Sequence, residues 1–471
     1  MHKRIRETFE HKRVCILGLG REGTSTYRYL RHHFPLLRLT LCDRQKDLPE
    51  SFVTAIAGDP NVSFKAGDAY LSTLSSFEIV VKSPGIPSTL PEIIEAQKAG
   101  VTITSQTSLF LREFGKRVIG ITGTKGKSTT STLLLSILTA SGVPARLVGN
   151  IERPVFDVME EDSGKEWYIY ELSSHQLSDV TASPHIAVFL NFYKEHMDYY
   201  QSLAEYWEAK TNIARHQTRH DMCIYNQDVE KIELFAKTCS SHIYGFSLSG
   251  RHSAACRLEN DTIYLEDHGK TVSLMTRTGV PLLGRFNIAN VMAAALTAHA
   301  MGVRREFIEA GVTAFKPLSY RLEHVGTYRG IEFYDDALAT IPEAAAAAVD
   351  AFEGRVATLL AGGYDRGQDF IPLAKAIIER GVQTLIVFPT TGERLGTEVK
   401  KLLPHDRKVH TVAVASMEQA VRMAYANTPE GKLCLLSAGA PSFGMFSNYK
   451  DRSDQYRRWI KTIGENHDSG D

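Results

Sequence analysis

Residues 120–130 read GITGTKGKSTT, a run whose residue types and spacing could bind phosphate groups. A short apolar strand predicted over 117–121 enters a turn of small residues, and a helix predicted over 128–140 leaves it. Such a turn directs backbone N–H groups and the positive helix end at phosphates. Lys127 can reach the outer phosphates, and the Ser128 hydroxyl can ligate Mg²⁺.

This run departs from the common phosphate-loop pattern at one position. The glycine expected five residues before Gly126 is Ile121, and Gly123 stands two places later. The alternative is a chance turn rich in Gly and Thr. We favour the phosphate loop because strand, turn, Gly-Lys-Ser and helix occur in order.

Three further side chains could take part in phosphate or metal chemistry. Glu171 follows an apolar strand, where a carboxylate can hold Mg²⁺, although an N-cap cluster for the next helix is the alternative. His196 follows the strand predicted over 187–190, and Lys210 comes 14 residues later on a helix predicted over 202–213. Taken alone, such a histidine is more often packed or exposed, and such a lysine usually lies on a solvated helix face.

A second glycine-rich turn lies near the N-terminus. Gly18-Leu19-Gly20-Arg21-Glu22-Gly23 follows a strand and opens a helix, and Asp43 ends the next strand 20 residues after Gly23. Alone, this pattern indicates a Rossmann-type unit that could bind NAD(P), a UDP-sugar or no ligand. Ser83-Pro84-Gly85, which also follows an apolar run, could form part of the same pocket.

Composition excludes several protein classes. The formal net charge is zero, so a broad basic surface for nucleic acid is not expected. The six cysteines are scattered without a CxxC pair, which favours reduced thiols over a disulfide framework or zinc site. The N-terminal run lacks the apolar core of a signal peptide, and no stretch of about 18 apolar residues predicts a membrane span. We therefore expect a cytoplasmic protein without membrane insertion.

The 471 residues suggest about three domains. Strand-like and helix-like runs alternate almost throughout, which predicts an α/β fold with parallel sheets. The predicted domains are a Rossmann-like domain over 1–105, a central phosphate-loop ATPase domain over 106–317 and a C-terminal Rossmann-like domain over 318–471.

Six motifs together resemble the Mur ligase family: GTKGKS, ELSSHQL, NFYKEHMD, EAKTNI, GRFNIAN and SYRLE, in this order. The resemblance covers essentially the whole chain. Within the family the chain looks most like the member that adds glutamate to UDP-N-acetylmuramoyl-L-alanine, because Gly-x-Gly is followed by Ser-Pro-Gly in a short first domain and the chain closes with LLSAGAPSFGMFSNYKDRSDQY. The resemblance implies an ATP-dependent, ADP-forming ligase of peptidoglycan precursor synthesis with small-molecule substrates, acting as a monomer.

The resemblance also implies roles for individual residues. The implied ATP-binding residues are Gly123, Thr124, Lys125, Gly126, Lys127, Ser128, Thr129, Asn290, Arg321 and Asp336. Two Mg²⁺ ions would be held by Ser128, Glu171, His196 and Lys210, the last as a carbamylated lysine. Lys127, His196, Lys210 and Asn150 would be catalytic, Asn150 by placing the transferring phosphoryl group. The UDP-substrate would contact Gly18, Leu19, Gly20, Arg21, Gly23, Asp43, Arg44, Ser83, Gly85, Ser174 and Gln176, and glutamate would contact Thr340, Arg366, Ser437 and Phe446.

The chain departs from the family pattern where the incoming amino acid should bind. The family stretch Asp-Ser-Lys-Ala-Thr-Asn is here Asp336-Ala337-Leu338-Ala339-Thr340-Ile341, Arg366 stands where the family often has Lys, and Tyr320 where His is usual. An Arg fork recognises a carboxylate differently from a Lys point charge. We expect D-glutamate, with L-glutamate as the alternative.

Two other functions remain open at this point. A sister ligase resembling folylpolyglutamate synthase would join glutamate to another acceptor, but it would leave the first domain without a use. An NAD(P)-dependent dehydrogenase would explain residues 13–43 and nothing beyond them.

Overall fold

The structure is a computed structural model that describes residues 3–48, 50–149 and 153–465. Its described residues form three sheets of five, nine and six strands. The first sheet is entirely parallel, in the order β3-β2-β1-β4-β5. Its strands are β1 Val14–Leu17, β2 Leu39–Asp43, β3 Val62–Ala66, β4 Ile79–Lys82 and β5 Thr102–Thr104. The helices of this part are α1 Lys3–Phe9, α2 Arg21–His33, α3 Glu50–Ile56, α4 Pro91–Lys98 and α5 Gln106–Phe114.

The apolar run of β1 explains its central place in this sheet. All four residues, VCIL, are buried, as expected of a parallel strand that is covered on both faces. Because the chain passes from β3 on one side of β1 to β4 on the other, the order reverses next to β1. In open α/β sheets such a switch point is where ligands bind, outside the carboxyl ends of the strands.

The second sheet has the order β14-β13-β12-β11-β10-β9-β6-β8-β7. Strands β6 to β12 run parallel, whereas β13 and β14 pair antiparallel as an added meander that the sequence patterns did not predict. Its strands are β6 Val118–Thr122, β7 Ala145–Gly149, β8 Trp167–Glu171, β9 Ile186–Phe189, β10 Met222–Asn226, β11 His242–Ser247, β12 Cys256–Glu259, β13 Thr262–Asp267 and β14 Lys270–Thr276. The helices are α6 Lys127–Ala140, α7 Val155–Met159, α8 Ser174–Leu177, α9 Leu203–Arg215, α10 Glu230–Ala236, α11 Arg285–Ala300 and α12 Arg305–Thr313.

The third sheet has the order β15-β16-β20-β17-β18-β19, with only the β15–β16 pair antiparallel. Its strands are β15 Glu323–Tyr328, β16 Ile331–Asp335, β17 Val356–Gly362, β18 Thr384–Phe388, β19 His410–Ala413 and β20 Leu433–Leu436. The helices are α13 Pro342–Asp350, α14 Ile371–Glu379, α15 Thr391–Leu402, α16 Met417–Asn427 and α17 Tyr449–Glu465.

By contacts the chain divides into two compact units. The first unit comprises 1–280 and 289–315 and holds the first two sheets, and the second comprises 281–288 and 316–471 and holds the third. Among the described residues, no helix has both the length and the apolar character needed to cross a bilayer.

Candidate active site

The phosphate loop lies between β6 and α6 and depends on Gly126. Gly126 has φ +88°, and a Cβ there would lie 2.4 Å from Oδ1 of Asn290. The side chain of Asn191, which the sequence analysis did not single out, fixes the loop: its Oδ1 accepts from the backbone N–H of Lys125 at 2.9 Å and its Nδ2 donates to the Lys125 carbonyl at 2.9 Å. Thr124 is held by its own backbone N–H, which donates to the Asn191 carbonyl at 3.2 Å. These hydrogen bonds fix the backbone conformation of the loop.

Two lysines contact this loop. Nζ of Lys127 donates to the carbonyls of Gly123 at 2.9 Å and Thr124 at 3.1 Å. Nζ of Lys210, whose side chain is buried on α9, donates to the same Gly123 carbonyl at 3.0 Å. Burial, and then the positive charge of Lys127, holds the pKa of Lys210 well below its usual range. A neutral amine at this position can react with CO₂, which an ammonium group cannot.

Glu195 and two histidines stand beside the loop. Glu195 accepts from Nζ of Lys125 at 2.8 Å, and its other oxygen lies 3.8 Å from Nε2 of His196. Burial lowers the pKa of His196 although Glu195 opposes the shift, so the ring stays neutral at pH 7 and keeps a lone pair for a metal. His175, to which the sequence analysis gave no role, lies 4.8 Å from His196 between ring centroids, and burial lowers its pKa to about 4.

The oxygen donors predicted to bind Mg²⁺, from Glu171 and Ser128, suit this ion. Glu171 ends β8, is paired with Ile121 of the loop strand, and has a buried side chain. Ser128 lies in the first turn of α6 and is half-buried. Carboxylate and hydroxyl oxygens are ligands that Mg²⁺ prefers, whereas the imidazole of His196 is a less preferred ligand for this ion. Lys210 fits only after conversion to an anion. Asn150 lies outside the described residues.

The glycine turn of the first sheet is closed by side-chain contacts. Gly18 has φ +87°, and a Cβ on Gly23 would lie 1.9 Å from the Gly18 carbonyl oxygen. The Ser83 hydroxyl donates to that same oxygen at 2.7 Å. The Leu19 N–H donates to Oδ2 of Asp43 at 2.6 Å. These contacts bring together residues that the sequence places far apart. Gly20, Arg21, Arg44 and Gly85 are exposed.

A polar contact joins this turn to the central sheet within the same unit. Gln176 lies on α8, where Ser173 caps the helix by accepting from the Gln176 N–H. Nε2 of Gln176 donates to Oε1 of Glu22 at 2.9 Å, and burial raises the pKa of Glu22. Ser174, the other predicted residue of this segment, is buried on the same helix. The residues predicted to contact the UDP-substrate in 18–23 and those in 174–176 are therefore neighbours in the structure.

The second unit brings together Asp336 and Ser437. Asp336 follows β16, its N–H donates to the Leu436 carbonyl at 2.8 Å, and its Oδ2 accepts from the Ser437 hydroxyl at 2.8 Å. Burial raises the pKa of Asp336 to about 7, and the hydrogen bond from Ser437 and the charge of Arg321 oppose this shift. Asp336 and Ser437 therefore form a buried pair at the carboxyl ends of β16 and β20.

The other predicted glutamate contacts differ in exposure. Arg366 is exposed, with its guanidinium 5.9 Å from the centroid of the Phe443 ring. Thr340 is half-buried. Phe446 is buried and packs edge-on against Phe388, with ring centroids 5.8 Å apart. Only Arg366 of this group presents a charge to solvent.

Sequence patterns missed two buried cations. Lys82 has a fully buried side chain, with Nζ 2.7 Å from Oδ2 of Asp179 in an ion pair between β4 and the segment after α8. Arg452, on α17, is fully buried and donates to the carbonyls of Ala337 at 2.8 Å and Ala440 at 3.2 Å. Asp179 and Ala337 lie far from Lys82 and Arg452 in the sequence, so no local pattern could reveal these contacts.

Three family models match the chain. They describe the MurD-like N-terminal domain of Mur ligases over residues 12–105, the Mur ligase middle domain over 121–298 and the glutamate ligase domain of Mur ligases over 320–440. These matches cover the phosphate loop, the glycine turn and the cluster around Asp336.

Curated relatives match over nearly the whole length. A UDP-N-acetylmuramoyl-L-alanine–L-glutamate ligase of Micromonospora sp. is 33% identical, over 95% of this chain and 96% of the relative. A UDP-N-acetylmuramoylalanine–D-glutamate ligase of Listeria monocytogenes is 32% identical, over 98% of each. Among solved structures, MurF ligase of Thermotoga maritima in complex with ADP matches with a TM-score of 0.59 and 15% identity, covering 96% of this chain and 95% of that one. At this identity the structural likeness concerns the fold.

Proposed function

Because the chain belongs to the Mur ligase family, we propose that it is an ATP-dependent ligase that joins glutamate to UDP-N-acetylmuramoyl-L-alanine in peptidoglycan precursor synthesis. The observation that carries the proposal is the phosphate loop, in which Lys127 and the buried Lys210 both donate to the Gly123 carbonyl. A carboxylate is a poor acyl donor, so the reaction must first install a better leaving group. A phosphate loop supplies the means to do so from ATP.

The reaction proceeds in two steps. An oxygen of the alanine carboxylate attacks the γ-phosphorus of ATP, ADP leaves, and an acyl phosphate forms. The glutamate amine then attacks the acyl carbon, phosphate leaves, and the nitrogen loses a proton. The loop N–H groups from Gly123 to Ser128 bind the phosphates, and Lys127 exchanges its two carbonyl acceptors for phosphate oxygens.

Ser128, Glu171 and His196 would hold the metal ions. Mg²⁺ would offset the repulsion between the two anions, ATP and carboxylate, that must meet. We propose that Lys210 joins this set as a carbamate, which its burial and its lowered pKa support. Thr124, Lys125 and Thr129 would line the phosphates, and Asn290 would contact the adenine. Arg321 and Asp336 would also contribute to ATP binding.

The glycine turn would hold the uridine diphosphate of the acceptor. The proposal rests on the closed turn at Gly18 and Gly23 and on its junction with Gln176, which suits a ligand whose muramoyl end approaches the central sheet. A sister ligase with another acceptor would leave this turn unused, and a dehydrogenase would leave the phosphate loop unused. The predictions of a monomer and of a cytoplasmic location stay predictions.

From the sequence alone we expect D-glutamate, but for the isomer we now propose the L form. Relatives named for either isomer match at similar identity, so their names do not separate the two. The residues at the predicted glutamate site favour a change of isomer from the D to the L form: Leu338 and Ile341 replace the family's Lys and Asn, and Arg366 replaces a Lys. The opposite configuration at the α-carbon of glutamate places the amine or a carboxylate elsewhere. The cationic side chains that recognise the carboxylates must then also stand at different positions.

The test is phosphate release from ATP with UDP-N-acetylmuramoyl-L-alanine and either L- or D-glutamate. We expect turnover that needs all three substrates, with higher kcat/KM for L-glutamate. A higher kcat/KM for D-glutamate would overturn the proposed isomer but not the proposed ligase activity. Absence of turnover with both isomers, together with tight NADH binding in calorimetry, would overturn the ligase itself.

A further inference from the structure

One face of α2 lies against α7, within the first unit. Ser25 donates to Oδ1 of Asp157 at 2.7 Å, and the guanidinium of Arg28 pairs with the same carboxylate at 3.1 Å. The Tyr29 ring packs on the Phe156 ring with centroids 4.5 Å apart. Positions three and four apart on a helix share a face, so residues 32 and 33 continue this stripe by one more turn.

The last turn of α2 places two adjacent histidines beside Glu160. Nε2 of His33 lies 3.2 Å from Oε1 of Glu160, and the rings of His32 and His33 have centroids 4.9 Å apart. One ring nitrogen of each histidine and one oxygen of Glu160 all lie within 4.8 Å of one another. No other group of three or more His, Cys, Asp or Glu side chains among the described residues meets this spacing.

A buried hydroxyl borders the same cluster. Tyr29 is 3% exposed, its hydroxyl has no hydrogen-bond partner among the described residues, and its ring centroid lies 4.5 Å from that of His33. A buried hydroxyl without a partner is uncommon, and a water bound to an ion in the cluster would supply one.

We propose that His32, His33 and Glu160 bind a Zn²⁺ ion. Two imidazole nitrogens and one carboxylate form the donor set of zinc sites that leave a fourth position to water. Mg²⁺ demands oxygen ligands in octahedral geometry and is disfavoured by two imidazoles. Tetrahedral zinc needs ligand atoms about 3.3 Å apart, and the exposed His32 can close the remaining gap by rotating its side chain.

The ion would tie α2, which follows the first strand of the first sheet, to the segment after α7 of the central sheet. It would reinforce the Asp157 contacts on the same face. The site lies outside the proposed ATP, UDP and glutamate contacts. The inference therefore stands or falls independently of the proposed ligase activity.

The test is zinc binding by the full chain, free of any affinity tag and treated with EDTA. Zn²⁺ is titrated against a chromogenic chelator with excess Mg²⁺ present to occupy oxygen-rich sites. We expect one zinc equivalent whose Kd rises at least tenfold in His32→Ala and in Glu160→Gln. Both positions are exposed, so both variants should fold and retain ligase turnover.

His268→Ala is the matched control, because His268 is an exposed histidine beside a carboxylate, 3.7 Å from Asp267. It should bind zinc like the unchanged chain. Zinc should also raise the melting temperature of the unchanged chain and of His268→Ala, but not that of Glu160→Gln. Equal zinc affinity in all four proteins, or equal thermal shifts, would overturn the proposal.

Discussion

Lys127 and Lys210 donate to the same oxygen, the carbonyl of Gly123, at 2.9 and 3.0 Å. Two ammonium groups that share one acceptor repel each other strongly when one is buried. The pKa of Lys210 is lowered accordingly, with burial as the larger cause. Lys210 can therefore lose its charge, whereas Lys127 is the lysine that we propose binds phosphate.

Lys210→Ala should abolish turnover, by about 10³-fold or more, because it removes an anionic metal ligand from the reacting phosphates. Short carboxylic acids such as acetate should partly restore activity by occupying the position of the carbamate. Steady-state rates with and without added acid test this. Lys237→Ala is the control, since Lys237 pairs with Glu233 on an exposed helix face and its loss should change stability by a few tenths of a kcal/mol at most. Full activity of Lys210→Ala would refute the carbamate.

Lys127→Ala should lower kcat by roughly 10³-fold, because a charge-assisted contact to a transferring phosphoryl group is worth several kcal/mol. The fold should persist, since the loop keeps its Asn191 contacts. Activity and circular dichroism provide the measurement, with exposed Lys116→Ala as the control. Near-normal turnover would contradict the phosphate-loop assignment.

Gly23→Ala should weaken binding of the UDP-substrate and destabilise the first unit, because its Cβ would meet the Gly18 carbonyl at 1.9 Å. We expect a cost of about 1–3 kcal/mol, typical of overpacking. Gly20→Ala is the matched control for stability, since nothing lies within 4 Å of a Cβ there. Calorimetry with the substrate and thermal melts compare the two. An equal fall in melting temperature in both variants would show that the close approach to the Gly18 carbonyl is not the reason for a glycine at position 23.

Arg366→Ala should raise the KM for glutamate at least tenfold and leave the KM for ATP nearly unchanged, because it removes a contact to the glutamate carboxylate and none to the phosphates. Arg380→Ala, which breaks an exposed pair with Asp350, controls for loss of a surface charge in the same unit. Parallel increases in both KM values would count against this placement of glutamate.

Asp336 should make the second unit less stable as pH rises from about 4 to about 7. Burial raises its pKa from 3.8 to about 7, so within this window the folded state binds more protons than the unfolded state. Each pKa unit corresponds to about 1.4 kcal/mol. Asp336→Asn should flatten this part of the pH profile and raise the melting temperature at pH 8, whereas exposed Asp406→Asn should change neither. An unchanged profile in Asp336→Asn would disprove the raised pKa.

Strands with uniform apolar runs could be predicted from the sequence. The apolar runs at 14–17, 384–388 and 433–436 predict strands, and they are the observed β1, β18 and β20, because buried parallel strands carry continuous apolar residues. For α2 the sequence pattern predicts a helix that begins at residue 24, three residues later than the observed start at Arg21, since Gly20 precedes the helix without a side-chain cap to mark its start. The added strands β13 and β14 alternate weakly between buried and exposed residues and were missed.

In the candidate site, too, the features that are local in the sequence could be predicted and the long-range contacts could not. Gly126 and Lys127 could be predicted because the loop chemistry is local. Asn191 contacts Lys125 from a position 66 residues away, and Lys210 contacts Gly123 from 87 away. Such contacts depend on which strands become neighbours, and periodicity within a window does not encode this.

The contact between Asn290 and the phosphate loop has a consequence for the order of events during synthesis. Oδ1 of Asn290 accepts from the Thr130 hydroxyl at 3.3 Å, across 160 residues of sequence, and fills the space that a side chain at Gly126 would need. Contacts between distant residues form late, since the intervening chain must first be made and ordered. A ribosome-bound chain that ends before residue 290 would carry every residue of the loop yet lack its last neighbour. We expect nascent chains to gain ATP binding only after α11 has emerged.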